Sequence, residues 1–306
     1  MNIINQDVTE NYSIYQGDST EILCDLPDNS IHYSIFSPPF ASLYTYSNSD
    51  RDLGNCKNYD EFFIHFGFIV EQLYRVMMTG RNVSIHCINL PTSKTRDGVI
   101  GIRDFRGEII RLFEKYGFIY HSEVCIWKDP VVAMQRTKAL GLLHKQLVKD
   151  SAMSRQGIPD YLVTMRKAGV NPEPVAGELD YFVGDKTTFK QTKKLSIDIW
   201  QRYASPIWTD INPSNTLQHR SAREHNDERH ICPLQLDVIE RGIQLWSNPN
   251  DIVLSPFLGI GSEGYVSIKT DRRFVGIELK ESYFNQASKN MQNAIKEHNE
   301  STLFKD

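Results

Sequence analysis

Between residues 59 and 79 apolar side chains return every three or four positions: Phe62, Phe63, Phe66, Ile69, Val70, Leu73, Tyr74 and Met77. That spacing predicts an amphipathic helix from Tyr59 to Thr79, closed by Gly80, with its aromatic stripe turned to a core. A second period, of two, marks Tyr12 to Gln16 as a strand ending at Gly17-Asp18, after which Ser19 is expected to cap a short helix. Continuous apolar runs predict buried strands at Ile31 to Phe36, Asn82 to Ile88, Phe118 to Trp127, Asp251 to Leu254 and Arg273 to Ile277. Asp160 to Lys167 completes a hairpin-like pair with the strand ending at Trp127. Helices are expected from Asp104 to Lys115, closed by Gly117, and from Glu228 to Trp246. The latter is entered through Arg229-His230-Ile231-Cys232-Pro233, with Leu234, Leu236, Val238, Ile239, Ile243 and Leu245 buried.

Three stretches lose this periodicity. Residues 41–58 form a long polar loop directly after a predicted strand, and long loops in compact domains are lids or disordered. Its Tyr44, Tyr46 and Arg51 stand as substrate contacts or as plain surface. Residues 128–158 carry Lys128, Arg136, Lys138, Lys145, Lys149 and Arg155 against Asp129 and Asp150, with Gln135, His144, Gln146 and Gln156 among them. A cationic, amide-bearing segment suits phosphate contact and base-edge reading, and equally a solvated helix. Residues 168–215 are the least regular, a loop-rich insert that Trp200, Tyr203 and Trp208 are expected to pack onto the main domain.

Composition narrows the field. The 306 residues, 40% of them hydrophobic, suffice for one large α/β domain with a smaller insert. The net charge of −4 excludes a polycation, so nucleic-acid contact rests on local basic patches. Five scattered cysteines without a C-x-x-C pair exclude a zinc ribbon and fit a reducing compartment. Cys87 and Cys125, in strand runs, are expected in the core. No metal ligand set is assigned. No run approaches the roughly 18 apolar residues of a membrane span, and the first residues do not read as a signal peptide. A soluble protein of the bacterial, or phage-infected, cytoplasm is expected.

Two turns carry the chemistry. Ser37-Pro38-Pro39-Phe40 follows the apolar run at 31–36. Two prolines cannot extend a strand ladder, so the chain leaves the sheet in a stiff turn presenting carbonyls, a hydroxyl and an aromatic face. Taken alone, four such residues favour a bland proline-stopped loop. The second turn is Ser255-Pro256-Phe257-Leu258-Gly259-Ile260-Gly261-Ser262. It runs from strand to helix, and a further strand ends at Glu278. Paired glycines permit close backbone approach, free N–H groups lie at the helix start, and an acid at the tip of the second strand suits ribose hydroxyls. A dinucleotide site stays open, since Gly264 supplies the third glycine of G-x-G-x-x-G.

The two turns together, in this order, resemble the amino-group DNA methyltransferases of the permuted class whose catalytic motif precedes the cofactor motif. The resemblance covers about residues 12–167 and 228–297. It implies an S-adenosylmethionine-dependent α/β fold: a Rossmann-like, mostly parallel seven-stranded sheet with an antiparallel edge and a loop-rich target-recognition insert. It implies a catalytic half at 1–128, a DNA-contacting region at 129–227 including edge strand 160–167, and a cofactor half at 228–306. Ser37, Pro38, Pro39 and Phe40 would hold and stack on a flipped base. Asp18, His230, Ser255, Pro256, Phe257, Gly259, Gly261, Ser262 and Glu278 would line the cofactor. Two departures stand out: His230-Ile231-Cys232-Pro233 lacks the family's His-Pro pair, and Ser255 replaces the usual Asp. His86, inside a strand, is read as a satisfied core histidine. The implied partner is double-stranded DNA, and a homodimer stays open. Serine at position 37 points to cytosine N4. Adenine N6, a non-catalytic DNA-binding relative, and methyl transfer to RNA or protein amides are the alternatives.

Overall fold

The computed structural model describes residues 2–39, 53–56, 59–92, 94–137, 144–154, 156–176, 199–218 and 233–303. Among the described residues eleven strands are formed: β1 (Asn5–Val8), β2 (Tyr12–Gln16), β3 (Ile31–Phe36), β4 (Met77–Ile88), β5 (Leu90–Thr92), β6 (Gly101–Arg103), β7 (Phe118–Ile126), β8 (Asp160–Lys167), β9 (Ile207–Trp208), β10 (Ile252–Ser255) and β11 (Arg273–Glu278). Nine build one sheet in the order β1-β2-β11-β10-β3-β4-β8-β7-β9, and β5 and β6 pair separately.

The expected seven strands are the run β2 to β7 of this order. The five from β2 to β4 are parallel, and β8 and β7 follow antiparallel. A two-residue strand from the irregular insert, β9, and a four-residue strand near the N-terminus, β1, extend the margins. Strand β8 is not the edge itself. It lies between β4 and β7, so seven of its eight residues pair with β4 as well.

Each face of the sheet carries its own core. One packs the helices Ser19–Cys24, Tyr59–Val76 and Phe105–Lys115 through Ile22, Phe62, Phe66, Leu73, Ile109 and Phe113. The other packs Leu236–Trp246, Ser262–Lys269 and Glu281–Leu303 through Val238, Ile239, Ile243, Val266, Phe284 and Met291. Because helices cover both faces, the central strands are buried on both sides, with polar Ser34, Ser84 and Thr164 among the buried residues. In β3 five of six side chains are buried. Each large apolar side chain removed from water contributes about 1.5–3 kcal/mol.

Several expected boundaries shift for local reasons. The helix from Tyr59 ends at Val76, and β4 begins at once at Met77. Gly80 does not close the helix; at φ +72° it makes a bulge inside β4, where the register to β3 jumps from Ile31↔Met77 to Tyr33↔Asn82. The first short helix is capped by Asp18 rather than Ser19. The Asp18 carboxylate accepts from Thr20 N–H at 2.9 Å, while Ser19 Oγ–H donates to the Pro256 carbonyl at 2.5 Å. The helix expected from Glu228 begins at Leu236, its Ncap at Gln235. Pro233 is incompatible with a helix interior, where its ring meets the carbonyl four residues back. Trp208 is buried and donates its indole N–H to the Tyr203 carbonyl, so it does pack the insert, whereas Trp200 is 54% exposed. Cys87 is fully buried and Cys125 only half-buried.

Candidate active site

Strands β3 and β10 are parallel neighbours, paired Tyr33↔Val253 and Ser34↔Leu254, and Ser34 Oγ–H donates to the Leu254 carbonyl at 2.8 Å. Their carboxyl ends therefore deliver Ser37-Pro38-Pro39 and the 255–261 turn to one rim, side by side. From β3 the chain proceeds to β4 on one side, and from β10 to β11 on the other. The order reverses between them, and in open α/β sheets that crevice is where ligands bind. The two turns also touch: the Phe36 and Phe257 rings lie 5.6 Å apart, and Phe66 from beneath sits 6.0 Å from Phe257.

Ser37 is half-buried and Pro38 buried. Ser37 Oγ lies 3.2 Å from His86 Nδ1 and 3.4 Å from the His86 carbonyl. On the far side of the ring, His86 Nε2 stands 3.1 Å from Asp160 Oδ2, off the straight line of a strong hydrogen bond. Lys128 Nζ meets Asp160 Oδ1 at 2.5 Å. Burial works to push the Asp160 carboxyl up, but the His86 contact and the Lys128 charge outweigh it and hold the acid below its ordinary value. His86 is thus buried, as expected of a core histidine, yet it touches the motif serine. No pattern along the chain shows this. His86 lies near the end of β4, Lys128 just past β7 and Asp160 at the start of antiparallel β8, and only strand order brings the three to one rim.

In the second turn Glu278 ends β11, and its carboxylate is aimed by two backbone donors. Gly259 N–H donates to one oxygen at 2.8 Å and Lys280 N–H to the other at 2.9 Å. Gly259 and Gly261 both have positive φ, +55° and +88°. Among the described residues nothing lies within 4 Å of a Cβ placed on Gly259, whereas one on Gly261 would press on Ala287 and Met291. Gly264 is a packing glycine: its Cβ would come within 2.3 Å of Met291 and 2.7 Å of Phe274. Ser255 is fully buried and its Oγ has no partner among the described residues. Pro256 and Ser262 are also buried. Asp18 lies at the end of the neighbouring β2, where Gly17 N–H donates to the Glu278 carbonyl at 2.9 Å. Phe40, His230, Tyr44, Tyr46 and Arg51 lie outside the described residues.

At the opposite rim His32, Glu173 and Asp251 bring three metal-ligand-type atoms within 4.8 Å of one another. There His32 Nδ1 accepts from Ile252 N–H at 3.1 Å, and Asp251 pairs with the buried Arg81 at 2.9 Å. These contacts make the group a clamp between β3, β4 and β10.

The comparisons with known proteins agree with this geometry. The N6/N4 methyltransferase family model, described as DNA methylase, matches residues 31–289. The type II methyltransferase M.BglII of Bacillus subtilis is 25% identical over 272 residues, covering 88% of this chain and 66% of its own length. In overall shape the chain is similar to TTHA0409, a putative DNA modification methylase of Thermus thermophilus complexed with S-adenosyl-L-methionine. The TM-score is 0.66 at 20% identity, over 92% of this chain and 93% of that one. It is also similar to the cytosine-N4-specific PvuII DNA methyltransferase, with a TM-score of 0.63 at 16% identity over 97% and 96%. With a family match that runs from the first residue of β3 into the last long helix, the chain belongs to the DNA methylase family.

Proposed function

We propose that this protein transfers a methyl group from S-adenosylmethionine to the exocyclic amino group of a base extruded from duplex DNA, cytosine N4 in the first instance. The observation that carries the reading is the shared rim: the serine-proline turn and the glycine turn leave adjacent parallel strands at the point of order reversal.

The residues at that rim fit the cofactor. Among the described residues, the space beside Gly259 admits a ligand against the backbone and the Ser255 hydroxyl, without a partner there, offers a polar contact, while the oriented Glu278 carboxylate suits a ribose. When bound, the sulfonium supplies an electrophilic methyl group. The protein's own part is positioning. An exocyclic amino nitrogen is a poor nucleophile because its lone pair is delocalised into the ring. Ser37 Oγ and the Pro38 carbonyl accept its two N–H groups, which draws the nitrogen toward a pyramidal geometry and fixes its line of approach. Within the stack the amino group is not presented for attack, so the base leaves the duplex. Pro38 lacks an N–H, so at that residue the backbone offers the amino group only an acceptor.

Serine rather than aspartate at position 37 favours cytosine N4 over adenine N6. The helices Pro130–Thr137 and His144–Lys149 are assigned to the DNA backbone. The test is methyl transfer from labelled S-adenosylmethionine to duplex DNA, with single-molecule sequencing of DNA from expressing cells to give base and site together. Ser37→Ala is expected to cut the rate about 100-fold. Cofactor binding with no incorporation into any duplex overturns the reading. DNA binding without cofactor binding, measured by calorimetry, assigns the chain to a non-catalytic relative.

A further inference from the structure

We propose that His86, oriented by Asp160, receives the proton released in the transfer step, acting through Ser37. The inference rests on the reading that Ser37 holds the target amino group.

The chain of contacts is directional. Asp160 is 1% exposed and remains an anion because His86 and Lys128 face its two oxygens. An anion 3.1 Å from Nε2 calls for a proton on that nitrogen. In the neutral ring the other nitrogen, Nδ1, is then a bare acceptor. Ser37 Oγ, 3.2 Å away, is then placed to donate its hydroxyl proton there in preference to the His86 carbonyl, which lies farther off at 3.4 Å. The serine lone pairs are thereby turned toward the incoming amino group, the acceptor role the reaction needs. The same order of hydroxyl, imidazole and buried carboxylate activates nucleophilic serines elsewhere. Here the serine is not the nucleophile.

The balance is as follows. The bond that forms joins the methyl carbon to the amino nitrogen; the bond that breaks is carbon–sulfur, and its electron pair stays on sulfur. The nitrogen, positive after transfer, gives a proton to Ser37 Oγ as the original hydroxyl proton passes to His86 Nδ1. The imidazolium is stabilised by Asp160 until the ring returns its proton to water. Other ionisable groups around the cluster, among the described residues, include the Arg106–Glu123 pair, Asp104, Tyr161 and the Cys87 and Cys125 thiols. Burial pushes both thiols up, which leaves them uncharged bystanders.

His86 does not touch substrate, so it is a positioning residue, and its test needs readings that a packing role would leave unmoved. In the full-length protein without ligands, long-range 1H–15N spectra of 15N-histidine, assigned with His86→Gln, are expected to show Nδ1 bare and Nε2 protonated. Asp160→Asn is expected to abolish that preference. In single-turnover transfer, His86→Gln is expected to lose about 100-fold in rate while cofactor and DNA affinities stay within about 3-fold. A proton on Nδ1, or a His86→Gln that transfers at full rate, overturns the relay and leaves the transferase reading intact. A wild type inert on every duplex, with the tautomer as expected, overturns the transferase reading and with it the relay's role.

Discussion

Glu263, the second residue of the helix after the glycine turn, is 4% exposed, and burial pushes its carboxyl up to about 8. A helix N-terminus favours a carboxylate, but here the loss of water outweighs the dipole. The acid is neutral in the fold and ionises more readily in the unfolded chain. Its contribution to stability is therefore complete below its ordinary value of 4.5 and drains away as the pH rises to about 8. Over that window the wild type should lose about 1.4 kcal/mol per pH unit relative to Glu263→Gln. Thermal melts of both proteins at pH 5, 6.5 and 8 check this; a gap that does not widen with pH would show the carboxyl to be solvated. Asp251 is another buried acid, paired with Arg81, itself 1% exposed. Asp251→Asn leaves a buried guanidinium without its counter-charge and should cost about 3–5 kcal/mol by denaturant unfolding.

At the scale of elements, the bulge in β4 decides where the sheet's rim lies. Gly80 at φ +72° approaches Asn171 so closely that a Cβ would meet its backbone nitrogen at 2.6 Å. Gly80→Val is expected to destabilise by at least about 2 kcal/mol, from left-handed strain and the clash together. A stability change under about 0.5 kcal/mol, which is the scatter of ordinary surface changes, would show that β4 pairs with β3 without the bulge. The helix Tyr59–Val76 acts on the site from below, since Phe66 packs on Phe257 of the glycine turn. Phe66→Ala should cost about 3–5 kcal/mol and also loosen the cofactor turn. Phe66→Leu, which keeps most of the volume, should separate the two effects: near-native stability with a weaker cofactor affinity by calorimetry.

At the scale of the whole molecule, a protein of net charge −4 is assigned to a polyanion. On the proposed reading, affinity draws on local cations such as Lys145 and Lys149 after β7, and it should be salt-dependent. Every phosphate left without its cation reduces the slope of log affinity against log salt by about 0.9. The double change Lys145→Ala, Lys149→Ala should lower that slope by up to about 2, with cofactor affinity unchanged. An unaltered slope would assign the segment to solvent, the other reading of its composition.

What the residues alone determined is local. Periodicity placed the long aromatic helix, the buried strands and both turns, because apolar spacing and proline or glycine geometry act over a few positions. It misplaced helix starts and the bulge, because capping and register depend on neighbours: Asp18 took the cap from Ser19, and β3 set the kink at Gly80. Family resemblance linked the two turns, and parallel pairing of β3 with β10 put them on one rim. The His86–Asp160–Lys128 cluster belongs to the tertiary structure entirely. Its members come from three strand ends far apart in sequence, and what turned a core histidine into a contact of Ser37 was the order in which the sheet sets those strands side by side.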